Sequence, residues 1–563
     1  MKYTLLCSYL IVFLFATCTT PSEETTHEVT VRMTADPESL HPFEIASAQS
    51  ISIINLLYQG LLKIDISDGK IKPCLAKAMP TVERKDSVTF LHYEIHPAAT
   101  WDNGQPITAA DVAFTLKVFF APLVENSKAS AALNIIRDIV LATENEKKFT
   151  LVCEGYSADL VLLSGDFAVL PTYLLDPKGK LAKYSFKQVK AKENLNEKDF
   201  EALAAITNTE KFTSDTTYLK GSAGYVLEEW QNNQVVRLRK KPNWWAATLN
   251  IPHLHNYPDR ITYQIIPDDK NALLALKNDK IDVLSDIATE DFEQLKAQAA
   301  ENFYLESPIS YRFLYLGMNA RSPKLNTIAT RQALAHLLDY DNLIKVSEKG
   351  YAERGVSLIR PTDAFYHEDL PLYPFDPAKA KSLLEEAGWQ YQDGRWQKGP
   401  EQALSLELRY TAGQAAQEAI ALALQQEAKK IGIALTLLPM ERSSMMQEVS
   451  EYEYELFIGT LSGSAYSFNF KPILHRSAGR NVTSFGTEES DAIVDQLYVE
   501  ADEQQRKKLV KRFQEIMKEQ ANIVCIYFKR HKIAVNKRFA NVAIAGHKQG
   551  YEVSSFQLKE AVQ

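Results

Sequence analysis

Histidines, carboxylates and hydroxyls come first, because their spacing decides whether they can hold a metal or move a proton. His253-Leu254-His255 offers two imidazoles from an extended segment, but no third ligand lies near. His92 and His96 are four apart, yet alternation places them on a strand with Pro97 next, so a surface role is expected. Gly459-Thr460-Leu461-Ser462-Gly463-Ser464 is small and hydroxyl-rich. It lacks the lysine of a phosphate loop and the glycines that flank an esterase serine. The acidic pairs Glu385-Glu386 and Glu488-Glu489 fall on helix or loop surfaces, where carboxylates are ordinarily solvated. No nucleophile–base pair and no CxxC occur, which removes most zinc and redox chemistry. The chain therefore reads as no enzyme, with no metal and no cofactor. Binding remains, and 26 tyrosines with 25 phenylalanines suit an aromatic cleft as well as a core.

A cleft of that kind needs lobes to frame it. At 563 residues the chain is too long for one core, so two to four lobes are expected. With 45% hydrophobic and 24% charged residues, the composition is that of a soluble globular protein. A formal charge of −8 and a pI near 5.9 argue against nucleic acid as a partner. Val29, Val31 and Met33 alternate as a first strand. Around Trp101, Asn103-Gly104 signals a turn, Thr108 caps a helix with Asp111 three residues on, and Val112, Leu116 and Phe119 share a face. Residues 178–215 are charged and weakly periodic, which reads as a surface insertion. Asp376-Pro377 starts a helix that Gly388 stops. Further on, an alternating strand at Leu404–Tyr410, a helix at about 414–430 and a second strand at Ile433–Leu437 make a β-α-β unit. Such a unit forms a right-handed crossover in a parallel sheet, with a ligand cleft at the strands' carboxyl ends. A helix near 443–449 and a strand at 454–460 extend it.

Two resemblances sharpen this reading. Residues 5–15 form an apolar stretch after Lys2, followed by Phe15-Ala16-Thr17-Cys18 and a polar tract. This resembles a bacterial lipoprotein signal in which Cys18 becomes the lipidated first residue. Residues 1–17 are then the signal peptide and 18–27 a tether, and the protein leaves the cytoplasm. Three cysteines remain, Cys74, Cys153 and Cys525, enough for one disulfide at most. The block Trp101-Asp102-Asn103-Gly104-Gln105-Pro106-Ile107-Thr108-Ala109-Ala110-Asp111-Val112-Ala113-Phe114 resembles a signature of the peptide/nickel family of extracytoplasmic solute-binding proteins. Asp36-Pro37-Glu38-Ser39-Leu40, Tyr58-Gln59-Gly60-Leu61, Lys241-Pro242-Asn243-Trp244-Trp245 and Arg331-Gln332-Ala333-Leu334 are similar to that family's elements in order and spacing.

The resemblance implies an α/β periplasmic binding protein-like fold of the class II type, two-lobed with an inserted third mini-domain. Lobe I would take residues 28–60, 220–313 and 523–563, lobe II 61–219 and lobe III 314–522, with the ligand between lobes I and III. It implies capture of a small solute, foremost an oligopeptide, by a monomer that delivers it to ABC permease subunits. A lipoprotein of the same fold that senses ligand without a permease is the rival. Candidate ligand-binding residues are Asp36, Glu38, Ser39, Tyr410, Ser462, Ser464, Tyr466, Phe468 and Asn469. The loop 462–469 departs from peptide-binding relatives, which often place there an Asp for the peptide ammonium; here it holds no acid.

Overall fold

The structure is a computed structural model that describes residues 27–42, 47–125, 133–156, 159–209, 211–399, 402–463, 470–547 and 550–559. Cys18, with the signal and most of the tether, lies outside the described residues.

Three sheets organise the chain. The first strand, Glu28–Met33, lies inside a seven-stranded sheet. It runs parallel to Arg260–Ile265 on one side and Val283–Leu284 on the other. Ile533–Asn536 and Phe303–Glu306 add antiparallel strands at one edge, and Val235–Lys240 and Tyr225–Gln231 at the other. Residues far apart in sequence thus share one sheet, because its buried alternation is completed only when the two ends of the chain meet.

An antiparallel four-stranded sheet carries the inserted unit, in the order Thr81–Lys85, Val88–Glu94, Lys148–Glu154, Ile136–Leu141. Against it lies the helix Ala109–Phe120. Its cap is as expected: the Asp111 carboxylate accepts from the Thr108 backbone N–H at 2.9 Å and from its hydroxyl at 3.3 Å. Trp101 is buried beneath the turn, its N–H donating to the Gln105 carbonyl. The segment expected as a surface insertion is less detached than that. Short helices at Phe186–Ala191 and Glu201–Thr207 bury Phe186, Val189 and Leu203 in the same core. Helices of one or two turns show no apolar period, so their packing is invisible in the sequence.

The six-stranded sheet runs Ala352–Glu353, Ile523–Arg530, Ile309–Met318, Leu456–Ser462, Ser405–Thr411, Ala434–Met440. The β-α-β unit forms as expected: Ser405–Thr411 and Ala434–Met440 are parallel and joined by the helix Ala415–Lys430. The last strand begins at Leu456 instead of residue 454. The Asn319 amide and the Tyr454 hydroxyl hold Tyr454 in the turn before it, through bonds to the Tyr454 and Val482 carbonyls.

Sheet membership changes at residues 307–308 and 531–532. The chain leaves the seven-stranded sheet at Glu306 and enters the six-stranded one at Ile309; it leaves that sheet at Arg530 and returns at Ile533. The boundaries expected at 313/314 and 522/523 therefore fall at or inside strands of the six-stranded sheet, whose continuous apolar runs show no boundary there, while the crossings fall at Ser307-Pro308 and His531-Lys532. The two crossings lie side by side. The His531 N–H donates to the Pro308 carbonyl at 2.9 Å, and the Arg530 guanidinium to the Ser307 carbonyl at 3.0 Å.

Candidate ligand cleft

The six-stranded sheet has a topological switch point. From Ser405–Thr411 the chain passes through a helix to Ala434–Met440 on one side. It then passes through the helix Arg442–Ser450 to Leu456–Ser462 on the other. Connections that leave in opposite directions open a crevice at the carboxyl ends of the two central strands. Gln417 ties that crevice together: its amide oxygen accepts the Thr411 N–H at 2.8 Å and its NH2 donates to the Thr460 hydroxyl at 3.4 Å. Ser462 ends its strand exposed, opposite Arg312 in register.

Arg312 is exposed, and its guanidinium makes no hydrogen bond or ion pair among the described residues. Beside it, Arg360 is fully engaged. It donates to the Asp363 carboxylate at 2.8 Å, the Tyr311 hydroxyl at 2.6 Å and the Ile309 carbonyl at 3.0 Å, with the Tyr311 ring 3.9 Å from its carbon. The Gly463 N–H donates to the Tyr311 carbonyl at 2.9 Å, pinning the start of the next loop.

From the other lobe comes Asp286, just past the strand Val283–Leu284 and exposed. It stands 3.3 Å from Nδ1 of His531. That hydrogen bond holds its carboxyl below the usual carboxylate range, with Arg312 and Lys529 adding attraction. Asp286 thus feels the charge of Arg312 on Ile309–Met318 as well as that of its own partner His531.

The expected site residues divide. Ser462 stands at the crevice. Asp36 accepts from Trp230 Nε1 at 3.3 Å and from the Asn233 N–H at 2.6 Å. Asp36 and Glu38 line a separate cavity of about 560 Å³ beside the end of Tyr225–Gln231. Ser39 is buried, with its hydroxyl accepting the His41 N–H at 3.0 Å. Tyr410 is buried in the core of the six-stranded lobe. Neither presents a surface to a solute in this arrangement: Ser39 is tied into its loop by His41, and Tyr410 at its strand's end turns inward to close the core. Ser464, Tyr466, Phe468 and Asn469 lie outside the described residues. Sequence reasoning placed Arg312 at the start of the crossing strand but named neither it nor Asp286 as a ligand-binding residue. Arg312 had a visible signal, being the lone charge in Ile309–Met318.

The other polar motifs have structural partners. His253 Nε2 meets the Pro73 carbonyl at 2.7 Å, and the His255 ring stacks on Tyr257. His92 meets Thr150 and Glu83, whereas His96 is half-buried with its ring 5.4 Å from that of Trp245, not a surface group. Among the described residues no group of three or more His, Cys, Asp or Glu could hold a metal ion.

Two α/β lobes joined by paired crossing strands, with an inserted unit on one of them, define a two-lobed binding protein. The family of bacterial extracellular solute-binding proteins, family 5 (middle region), matches residues 70–479, and the chain belongs to that family. It is similar to the oligopeptide-binding protein AppA of Bacillus subtilis, 23% identical over 86% of this chain and 83% of that protein. It also resembles the nickel-binding periplasmic protein of Escherichia coli, 24% identical over 73% of this chain and 71% of that one. In fold it matches the ABC transporter substrate-binding protein CtaP of Listeria monocytogenes, with a TM-score of 0.74 and 22% identity, covering 95% of this chain and 99% of that one. The protein is accordingly an extracytoplasmic solute-binding protein of the ABC-importer kind.

Proposed function

We propose that this protein captures an oligopeptide by closing the six-stranded lobe onto the seven-stranded one, and presents the closed form to an ABC permease. The observation that carries the reading is the crevice at the switch point, where Arg312 stands exposed opposite Ser462 at the strand end and within electrostatic reach of Asp286. A cleft with a cation that has no partner among the described residues on one wall and an ionised carboxylate on the other suits a zwitterionic solute better than a neutral or a purely anionic one. The oligopeptide-binding relative adds support. In this reading lobe I is the seven-stranded unit, lobe II the four-stranded insert and lobe III the six-stranded unit, with the hinge at 307–308 and 531–532. Ser462 and the loop 464–469 contact the solute, with Asp36 and Glu38 near one end. Ligand shifts the population toward the closed state only by its preference for that state.

The mature chain is a monomer held to the membrane by lipid on Cys18, with two or more acyl chains because one gives only marginal anchoring. Cys18→Ser should then lose membrane retention. Native mass spectrometry of protein purified from its own host tests the ligand. Bound masses that fragment as peptides support the reading, and a nickel chelate or other non-peptide in their place overturns it.

A further inference from the structure

We infer that the loop 348–351 is a third, non-covalent strut between the two large lobes, one that sets their resting angle whatever the solute is. The helix Tyr340–Ser347 ends at Glu348, and the chain then turns back through left-handed backbone, Lys349 at φ 47° and Gly350 at φ 87°. The Gly350 N–H donates to the Ile344 carbonyl at 3.1 Å and the Tyr351 N–H to the Glu348 carbonyl at 2.7 Å, which closes the turn on itself. Ala352 and Glu353 then pair with Lys529 and Phe528, just before the second crossing. Turn and ladder together fix where the Tyr351 side chain departs, and it leaves its own lobe. Its ring lies edge-on to that of Phe292 at 5.4 Å, on the helix Thr289–Ala299 of the seven-stranded lobe. Its hydroxyl accepts from Lys296 at 2.8 Å and donates to Glu293. Every other residue of the apolar cluster it joins belongs to the seven-stranded lobe.

Glu348 meanwhile grips the second crossing from both sides. It lies 3.3 Å from Lys529, ahead of the crossing, and 3.5 Å from Lys532 within it; Glu348 and Lys532 are both buried. Parting a buried pair is costly, so these two stay together as the lobes turn, and the Tyr351 ring must roll on Phe292 or leave it. An edge-on ring contact and an exposed ion pair such as Lys349 with Glu290 are each weak. The strut therefore biases the angle without welding the seam.

The test is the distance between spin labels at Lys277 in the seven-stranded lobe and Lys381 in the six-stranded one, both exposed. It is read by double electron–electron resonance on the full mature chain freed of solute. Wild type should give one narrow distribution. Tyr351→Ala should add further distances, raising the ratio of other angles to the resting one by roughly three- to tenfold while the melting temperature hardly changes. Tyr351→Leu, which keeps apolar bulk on the helix but loses the ring and the hydroxyl, should act in the same direction by a smaller amount. It gives the same reading if the alanine variant does not fold. A wild-type distribution already as broad as that of the variants overturns the strut. So does a variant that lowers the melting temperature but leaves the distribution unchanged, which would make Tyr351 a packing residue only. No solute enters the measurement, so its outcome is separate from that of the peptide reading.

Discussion

The seven-stranded lobe meets its two neighbours through seams of opposite character. Toward the four-stranded unit the seam is filled and locked. The His96 ring of the four-stranded unit lies 5.4 Å from that of Trp245, whose indole is fixed within its own lobe by bonds to the Gln59 side chain at 3.1 Å and the Ser222 carbonyl at 3.2 Å. Lys241 bridges Asp102 at 2.5 Å, and Lys63 bridges Glu552 at 3.3 Å with both side chains about three-quarters buried. Toward the six-stranded lobe the chain crosses twice, through two residues each time, and the pairs near the crossings include exposed groups. Among them are Asp286 with His531 and Lys349 with Glu290. A seam of buried aromatic rings and desolvated ion pairs behaves as one body, because any opening must break all of them together. A seam of two short crossings with one buried pair, Lys532 and Glu348 at 3.5 Å, and otherwise largely exposed charges has less to break and can pivot at lower cost. The contrast says which half of the molecule moves.

Attacking the locked seam should do the most damage. Trp245→Ala removes a buried ring and its two acceptors' donor, and should cost about 3–5 kcal/mol. Chemical denaturation should show this as a fall in midpoint, with the four-stranded unit losing protection to hydrogen exchange first. A loss under about 1 kcal/mol would mean that the insert is held some other way.

Lys63→Met should cost less, about 1–3 kcal/mol, because it strands a partly buried carboxylate. This effect carries a pH signature. Burial alone would raise the Glu552 carboxyl. Lys63, the Ser554 hydroxyl and His255 together outweigh burial and hold it below its ordinary range. A depressed carboxyl stabilises the fold above the unfolded value, and that contribution is lost as pH falls through the folded one. The lysine is likewise raised by Glu552 against its own burial, so its share persists until strongly alkaline pH. The gap between wild type and Lys63→Met should be widest near neutrality and narrow in acid. A gap that does not change between neutral and acid pH would show that the pair is not the source.

At the open seam, Asp286→Asn should hardly change stability, by less than about 1 kcal/mol, since the group is exposed. Its effect should instead appear in ligand affinity and in the balance of open and closed forms. If Asp286→Asn destabilised the fold as much as Lys63→Met, the two seams would be alike and the contrast would fail.

What could be read from the sequence was local. The cap at Thr108 and Asp111, the buried Trp101 and the unit from Ser405 to Met440 each follow from a period or a motif within some forty residues. The cleft was not legible in that way. Asp286 meets His531 across 245 positions, and the first strand pairs with residues 260–265, so no local pattern announces either. Of the candidates, Ser39 is buried in the loop after the first strand, and Tyr410, read from the alternation of its strand, faces the core. One residue of phase along a strand decides the face, and motif similarity does not supply that phase. Arg312 is the counterexample: a lone charge in an apolar strand is visible in the sequence, though its place at the mouth of a cleft is not.

The most direct test of the account is a pair of distances measured by double electron–electron resonance on spin-labelled protein. One pair of labels sits at Lys178 in the four-stranded unit and Lys381 in the six-stranded lobe. The other sits at Lys178 and Asp268 in the seven-stranded lobe; all three positions are exposed. On saturation with a peptide whose binding has been verified, the first distance distribution should shift as the lobes close, and the second should stay fixed. A first distance that does not respond, or a second that moves as much as the first, would contradict capture by a hinge at 307–308 and 531–532.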